Sequence, residues 1–463
     1  MSIITRLLLL PVLSALCQCS IAQSPGVWLT TPDRQQLLAQ QEPLRFTGSI
    51  NSQQPVILVN PNETFQQMDG FGFALTGGSA QHIIRMDAAE RKTLLQELFG
   101  QDRDGMGISY LRLSIGASDL NQRVFSYNDL PAGKKDPTLS RFSLADDEKD
   151  VVPVMKEILA INPAIKILGS PWSAPTWMKS NNNIQGGRLQ EEYYPVYARY
   201  FVKYIRAMEQ QGIRIDAITV QNEPFNDGNT PSMQMLAKEQ LRFIRDHLGP
   251  LFKKEGITTR IILYDHNCDA PEYPMAILAD STAARFIDGS GFHLYAGPVS
   301  AMSRVHDAFP TKGLYFTEMM AVNRDGQFNI ANPVERILIG ATRNWSRNVI
   351  LWNLAANAKF EPHTDNGGCA FCQGAVTIEG NAVERNIALY VIGHASRFVP
   401  PASYRIASNT SETLPNVAFR TPTGRIVLIV ANKSAETQAF NIATGSKAAS
   451  AKLPAGAVAT YTW

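Results

Sequence analysis

The sequence carries little excess charge. Its 463 residues include 43 basic and 41 acidic side chains, a formal net charge of +2. This balance gives no reason to expect a nucleic acid or an anionic membrane surface as a partner. A hydrophobic content of 44% and a charged content of 18% are those of an ordinary globular protein. The length suffices for one large domain and a small second one.

Long hydrophobic runs are absent beyond the N-terminus. There Arg6 precedes an apolar run over residues 7–16, and residues 20–22 offer small side chains for a cleavage site. The run is about 10 residues long, too short to cross a bilayer, which takes about 20 helical residues. We therefore expect residues 1–22 to be a signal peptide, and the mature protein to be secreted or periplasmic without stable membrane insertion.

Cysteine is scarce, with five in the chain. Cys17 and Cys19 would leave with the signal peptide; a lipid anchor there is an alternative, although the small residue expected before it is missing. The Cys-x-x-Cys spacing of Cys369 and Cys372 is typical of a redox pair, half a zinc site or a local disulfide. The sequence lacks a second such pair and a His-x3-5-His partner, which argues against zinc. An oxidising compartment favours a loop disulfide, and Cys268 is then expected to be a buried thiol.

Strand and helix patterns alternate eight times between about residues 66 and 398. The strands are short, nearly continuous apolar runs, which indicate a parallel sheet buried on both faces. Eight units favour closure into a barrel over an open doubly wound sheet, which usually has fewer strands. The predicted strands span 71–76, 110–115, 165–172, 217–220, 259–264, 291–295, 313–320 and 348–353.

Both ends of the chain indicate β structure without helices. Residues 24–63 and 399–463 contain short apolar runs separated by turn residues. The C-terminal tail cannot bury both of its faces alone, and the two ends of a compact domain often lie close together. The predicted fold class is therefore α/β: a (β/α)8 TIM barrel over residues 64–398, with a side β-sandwich domain formed by the N-terminal segment and the C-terminal tail.

Two glutamates stand at the ends of predicted strands. Glu223 and Glu318 are 95 residues apart, or about 32 per unit over three units, close to the roughly 31 of a 250-residue barrel. This spacing predicts strands four and seven, which lie almost opposite each other in the ring. Such barrels keep their chemistry at the carboxyl ends of the strands, so both carboxylates can face one sugar. The simpler alternative is that each is a surface residue at a strand exit.

The motifs at these strand ends resemble those of glycoside hydrolase family 30, in clan A. Asn222-Glu223-Pro224 after strand four and Thr317-Glu318 after strand seven are similar to the clan's catalytic motifs. The resemblance implies an O-glycosyl hydrolase with Glu223 as acid/base and Glu318 as nucleophile, and no cofactor or metal. The stretches that carry it recur in order at 69–72, 111–119, 170–179, 220–224, 291–295, 316–318 and 351–354.

The resemblance also implies which residues contact the sugar. Asp119 would accept hydrogen bonds from hydroxyl pairs, and an aromatic face would stack on the pyranose. We expect Arg112 to pair with Glu318 and keep it ionised, and Tyr295 to donate to the same carboxylate. Alternatively, Trp172 and Trp352 are core side chains. The alternative for His293 and Arg112 is a purely structural role. The positions that match the family's −1 subsite are Asp119, Trp172, Asn222, His293, Tyr295 and Trp352.

The implied reaction is hydrolysis of a β-D-glucosidic bond by double displacement. Glu318 would attack the anomeric carbon while Glu223, kept protonated by the adjacent negative charge, donates to the leaving oxygen. The animal glucosylceramidases carry His-Trp-Tyr where this chain has His293-Leu294-Tyr295. The loop over 362–374 is similar to the microbial branch that includes endo-β-1,6-glucanases. We expect a β-1,6-glucan or a glucosylceramide-type β-glucoside as substrate, with β-xylosidase or xylanase-type activity as the alternative.

Two alternative functions belong to other classes of protein. A non-catalytic carbohydrate-binding barrel would need aromatic side chains but not both glutamates. A metal-dependent hydrolase would need a His/Asp cluster at the strand ends. Only His266, with Asp265, and His293 are candidates, so no compact ligand set is predicted. We expect the protein to bind a carbohydrate substrate and to be a monomer.

Overall fold

The computed structural model describes residues 26–47, 53–102, 104–322 and 328–463. The predicted signal peptide, residues 1–22, lies outside these ranges. Within them, no helix combines the length and the apolar character that crossing a membrane requires.

Eight parallel strands close into a barrel, which confirms the predicted fold class. Neighbouring strands pair in chain order, and the eighth strand pairs with the first. All eight predicted strands are present, with their ends shifted by a few residues. In order, they are Gly70–Leu75, Tyr110–Ser114, Lys166–Ser170, Ala217–Thr219, Arg260–Asn267, Ile287–His293, Gly313–Glu318 and Ser346–Leu351.

Helical segments connect the strands. Ala88–Phe99 consists mostly of strong helix formers, whereas Gly77–Arg85 opens with two glycines, which are poor helix formers. The 3-10 turns are Asp147–Lys149, Thr176–Met178 and Glu191–Tyr193. The other α-helical and π-helical segments are Val151–Ile161, Tyr194–Gln210, Ala237–Arg242, Phe243–Leu248, Gly249–Glu255, Glu272–Leu278, Ser281–Ala284, Ala301–Ala308, Ala331–Pro333, Val334–Ile339, Gly340–Arg343 and Ile387–Ser396.

Strands from both ends of the chain form the β-sandwich beside the barrel. Gly26–Thr30 pairs with Val458–Thr462, and Val56–Gln67 pairs with both Tyr404–Ser408 and Gln438–Thr444. In spatial order the nine strands are Lys447–Leu453, Gln438–Thr444, Val56–Gln67, Tyr404–Ser408, Asn416–Arg420, Ile426–Ala431, Val458–Thr462, Gly26–Thr30 and Ala39–Gln41. A small sheet that was not predicted consists of Ala355–Ala356, Val376–Glu379 and Ala382–Arg385.

The barrel interior changes from apolar to polar towards the carboxyl ends of the strands. Side chains on one face of a strand recur every second residue, so the next inward position lies two residues further along. One buried layer consists of Tyr110, Leu168, Ala217, Ile262, Tyr315 and Ile350. The following layer consists of Arg112, Ser170, Thr219, Thr317 and Trp352, joined by Asp265 where the register of strand five shifts. This polar layer is the floor of the candidate site.

Close backbone contact between barrel strands six and seven leads to a stability prediction. A Cβ atom at Gly289 would lie 2.0 Å from the carbonyl oxygen of Gly313, far inside van der Waals contact. We expect Gly289→Ala to lower the free energy of unfolding by about 3 kcal/mol, because strands six and seven must move apart. Chemical denaturation measures the change. Gly228→Ala, whose Cβ would meet only the Asn226 side chain at 3.4 Å, is the matched control; equal effects of the two changes would contradict the prediction.

Candidate active site

Glu223 sits in a strained backbone conformation at the carboxyl end of the barrel. Its φ of 46° is in the left-handed region, which a residue with a side chain rarely adopts, and Pro224 restricts it further. The amide of Glu223 donates to the carbonyl oxygen of Asp265 at 2.9 Å, which fixes this turn against strand five. Backbone strain that the surroundings hold in place is frequent at functional sites.

Glu318, the last residue of strand seven, is held by two donors. Nη1 of Arg112 donates to its Oε2 at 2.5 Å, and the hydroxyl of Tyr295 donates to its Oε1 at 3.0 Å. Both contacts are the ones expected from the sequence. Arg112 also donates through Nη2 to Oδ1 of Asn222 at 2.7 Å, so one buried guanidinium spans strands two, four and seven. The nearly complete burial of Arg112 strengthens these charge-assisted bonds.

His293 lies between the two glutamates. Its Nδ1 is 3.1 Å from Oε1 of Glu223 and 3.9 Å from Oε1 of Glu318. Its Nε2 is 3.1 Å from Oδ1 of Asp265. Both carboxylates therefore face a single imidazole and belong to one cavity.

Asp265 is a buried residue of the site, named from the sequence only with His266 as a candidate metal ligand. It accepts hydrogen bonds from Nη2 of Arg112 at 2.8 Å and from the hydroxyls of Thr219 and Thr317, each at 2.6 Å. Burial acts to raise its pKa, but Arg112 and His293 outweigh burial and hold the pKa well below its usual range. Its position at the carboxyl end of strand five was the signal that could have identified it.

The charges of the site shift the pKa values of its central groups. Burial raises the pKa of Glu318, and the positive charges of His293 and Arg112 only partly offset this. Burial alone would lower the pKa of His293, but Glu318 and the other carboxylates raise it to about 9. Burial would raise the pKa of Glu223, yet His266 and His293 hold it well below its usual range. The expectation that the adjacent negative charge keeps Glu223 protonated is therefore wrong, because the two histidines favour its ionised form.

One further contact to Glu223 was missed from the sequence. Nδ2 of Asn226 donates to its Oε2 at 2.7 Å. Asn226 lies in the loop after strand four, and its Oδ1 accepts a hydrogen bond from the backbone N–H of Gly228 at 2.9 Å. No strand pattern marks such a residue, and closeness to Glu223 in the chain was the one signal that could have identified it.

The aromatic residues predicted for the site stack on one another. The rings of Trp172 and Trp352 are stacked with centroids 5.4 Å apart, and the guanidinium of Arg112 lies 4.8 Å from the centroid of Trp172. Trp352 lines the cavity, whereas Trp172 packs behind it with Cys372. Cys369 and Cys372 form a disulfide, the arrangement favoured from the sequence, and Cys268 is a buried free thiol, as predicted.

The cavity above the polar layer has a volume of about 520 Å³, within the range of small-molecule sites. Asp119, one of its lining residues, has its pKa raised to about 7, by burial first and then by Glu318 and Glu223. The predicted residues that line the cavity are Asp119, Glu223, Tyr295, Glu318 and Trp352. The predicted residues buried behind that lining are Arg112, Trp172, Asn222 and His293.

A compact ligand set is present, contrary to the prediction from the sequence. Glu223, His266 and His293 each offer one ligand atom, and these atoms lie within 4.8 Å of one another. The prediction failed because the register of strand five shifts at these residues. Asp265 therefore points towards Arg112, and His266 points towards Glu223. A cation bound there would occupy the Glu223 carboxylate and compete with its proton, so the set does not by itself indicate metal-dependent hydrolysis.

Two family models match the chain in succession. The glycosyl hydrolase family 30 TIM-barrel domain matches residues 68–399, and the glycosyl hydrolase family 30 beta sandwich domain matches residues 403–461. Barrel, sandwich and matches together define the protein as a glycosidase. The chain belongs to glycosyl hydrolase family 30.

Known proteins resemble the chain over most of its length. It is 33% identical over 392 residues to the Endo-1,6-beta-D-glucanase neg1 of Aspergillus fumigatus, covering 79% of this chain and 78% of that protein. It is 27% identical to the lysosomal acid glucosylceramidase of Mus musculus, covering 82% and 78%. The solved structure of the endo-beta1,6-glucanase BT3312 is similar with a TM-score of 0.88 at 32% identity, covering 95% of this chain and 99% of that chain.

Proposed function

We propose that the protein hydrolyses β-1,6-linked glucosyl residues with retention of configuration, with Glu318 as nucleophile and Glu223 as acid/base. The observation that carries the proposal is that both carboxylates face Nδ1 of His293, at 3.1 and 3.9 Å. Retaining glycosidases place their two carboxyl groups about 5 to 5.5 Å apart, so that one attacks while the other protonates the leaving oxygen. Two carboxylates that share one imidazole fit this arrangement.

The proton for the leaving group is held between Glu223 and His293. Asp265 remains ionised and accepts the Nε2–H of His293, so the hydrogen bond from Nδ1 to Glu223 contains a single titrating proton. This proton belongs to the pair and resides on His293 in the free site. When Glu318 attacks and loses its charge, the main electrostatic support of the imidazolium weakens. The proton then moves from His293 to Glu223, and Glu223 passes it to the leaving oxygen. Glu223 is left as a carboxylate, and in the second step it takes a proton from the attacking water.

The relatives favour a glucan over a lipid glucoside. The endo-1,6-beta-D-glucanases are 31 to 33% identical to this chain, and the lysosomal acid glucosylceramidase is 27% identical. The loop over 362–374 supports the same substrate, as does the His293-Leu294-Tyr295 sequence. Amide side chains of Asn226, Asn229 and Asn267 line the cavity and suit hydroxyl groups better than an acyl chain.

A substrate panel tests the proposal. The purified protein is incubated with pustulan, a β-1,6-glucan, with glucosylceramide, and with aryl β-glucoside and aryl β-xyloside. We expect hydrolysis of pustulan with the highest kcat/KM, and NMR of the first product should show the β-anomer. Preferred cleavage of glucosylceramide or xyloside would overturn the substrate, and an α-anomer would overturn retention.

A pH-rate profile tests the shared proton. We expect His293→Gln to lower kcat/KM at its optimum about 100-fold, within the range of general acid–base effects. In the variant the proton must reside on Glu223 alone, without the imidazole that keeps it bound up to about pH 9. The basic limb of kcat/KM is therefore expected to move to lower pH. His247→Gln, on a helix outside the site, should leave the profile unchanged. An unmoved basic limb in His293→Gln would contradict the shared proton.

We also propose that the protein acts outside the cytoplasm. The disulfide between Cys369 and Cys372 supports this location, because disulfides persist in oxidising compartments. The expected signal peptide agrees with it. N-terminal sequencing of protein recovered from a periplasmic or culture fraction tests the location; recovery in the cytoplasmic fraction alone would contradict it.

A further inference from the structure

Exposed aromatic side chains are concentrated at the mouth of the catalytic cavity. Among the described residues, six large hydrophobic side chains are exposed, and three of them, Phe225, Tyr295 and Phe371, line this one cavity. Tyr295 is engaged with Glu318 through its hydroxyl. Phe225 and Phe371 have no such task, yet they are 44% and 60% exposed. Large exposed apolar groups gathered at one site mark a binding surface.

Phe225 lies on the side from which a leaving group departs. It is the second residue after Glu223, whose carboxyl group must reach the leaving oxygen. Its ring is fixed by edge-on contacts to His266 and Tyr273, with ring centroids 5.9 and 5.4 Å away. Contacts of this kind hold the ring in place and leave one face open.

Phe371 is held outwards by the disulfide. Its two flanking cysteines, Cys369 and Cys372, are joined, and Cys372 is only 2% exposed because it packs with Trp352. The chain between the two sulfur atoms therefore turns outwards and presents Phe371 at the rim. A disulfide that closes so short a loop limits the movement of this aromatic side chain.

The loop that carries Phe371 reaches the loop that carries Phe225. The hydroxyl of Thr364 donates to the carbonyl oxygen of Thr230 at 2.7 Å. A Cβ atom at Gly367 would lie 2.0 Å from the carbonyl oxygen of Gly228, so the two backbones are in close contact. The two aromatic residues thus belong to one continuous wall.

We infer that Phe225 and Phe371 form the binding site for the leaving-group sugar, as platforms on which a pyranose ring stacks. This inference rests on the proposed hydrolysis of a glucan and names the residues that select a sugar leaving group. A pyranose has apolar C–H faces and a rim of hydroxyl groups. Aromatic faces beside the amides of Asn226, Asn229 and Asn267 match both features. A ceramide would instead need a continuous apolar surface.

Substrates with and without a leaving-group ring test the inference. Gentiotriose, a β-1,6 trimer, needs the platforms, whereas β-glucosyl fluoride has no ring to place there. We expect Phe371→Ala and Phe225→Ala each to lower kcat/KM for gentiotriose about tenfold, the size of a lost ring contact. For the fluoride the loss should be at most about twofold. Phe371→Trp should retain most gentiotriose activity, and Tyr404→Ala, an exposed aromatic on the sandwich, is the matched control.

The results of these assays distinguish failure of the inference from failure of the proposed function. Equal losses on both substrates, or no loss on gentiotriose, would overturn the inference while leaving the proposed function intact. If the alanine variants lose activity on glucosylceramide but not on gentiotriose, the platforms bind a lipid and the inference is overturned. If the wild-type protein hydrolyses neither the fluoride nor gentiotriose, the proposed function itself fails. The melting temperature of each variant shows that it is folded.

Discussion

Replacing Glu318 by glutamine is expected to reduce kcat by at least about 10⁴-fold, the scale on which loss of a covalent nucleophile acts. The amide keeps the size of the side chain but cannot attack the anomeric carbon. The amide oxygen can still accept from Arg112, and the amide NH2 can donate to the hydroxyl of Tyr295, so the fold should survive. Steady-state kinetics on aryl β-glucoside, with Glu90→Gln on an exposed helix face as control, measures the loss.

Glu223→Gln should affect the reaction in a different way. An aryl glucoside whose phenol is a good leaving group needs no proton, so its first step should be nearly normal while release of the sugar slows. A substrate with a poor leaving group should lose about 10³-fold. Added azide should restore turnover of the Glu223→Gln variant and form β-glucosyl azide, because it enters where water would be activated.

If Glu318→Gln retained more than about a hundredth of wild-type kcat, the assignment of the nucleophile would be wrong.

The sequence predicts the fold well because its strongest signals are local. Eight apolar runs at regular spacing, each followed by a helical pattern, specify a closed parallel barrel before any contact is known. The helix Ala88–Phe99 is marked locally by a run of mostly strong helix formers. Gly77–Arg85 opens with two glycines, which are poor helix formers, and the hairpin of Val376–Glu379 and Ala382–Arg385 is short. Both therefore depend on packing against the rest of the chain.

The candidate site is predictable only in part. Residues at strand ends, such as Glu223, Glu318 and His293, come together because parallel strands converge at the carboxyl end of the barrel. Asp265 also stands at a strand end, but its side chain enters the polar layer only through the shifted register of strand five. The protonation of Glu223 could not be predicted, because it depends on distances between residues on three strands.

Arg112 is expected to be as important for stability as for catalysis. Its guanidinium pairs with Asp265 at 2.8 Å and with Glu318 at 2.5 Å, and these side chains are almost completely buried. Arg112→Met would remove the guanidinium that pairs with both buried carboxylates and leave them with His293 as a cationic neighbour, which should cost about 3 to 5 kcal/mol of unfolding free energy. Chemical denaturation measures this cost. Arg206→Met, in the exposed pair with Glu255, should cost at most about 1 kcal/mol.

The same variant should change the pH dependence of the reaction. The charge of Arg112 lowers the pKa of Glu318, so its removal raises that pKa and leaves less ionised nucleophile at a given pH. The acidic limb of kcat/KM should therefore move to higher pH, with a loss of about 10³-fold at the optimum.

A double variant separates the two roles of Arg112. Arg112→Met with Asp265→Asn removes both charges of one pair, and should recover part of the lost stability without recovering activity. Activity needs the contact to Glu318, and Asp265→Asn cannot replace that contact. If the double variant regained neither stability nor activity, the pair of Arg112 and Asp265 would not be the source of the stability loss. If it regained both, the contact of Arg112 to Glu318 would be dispensable.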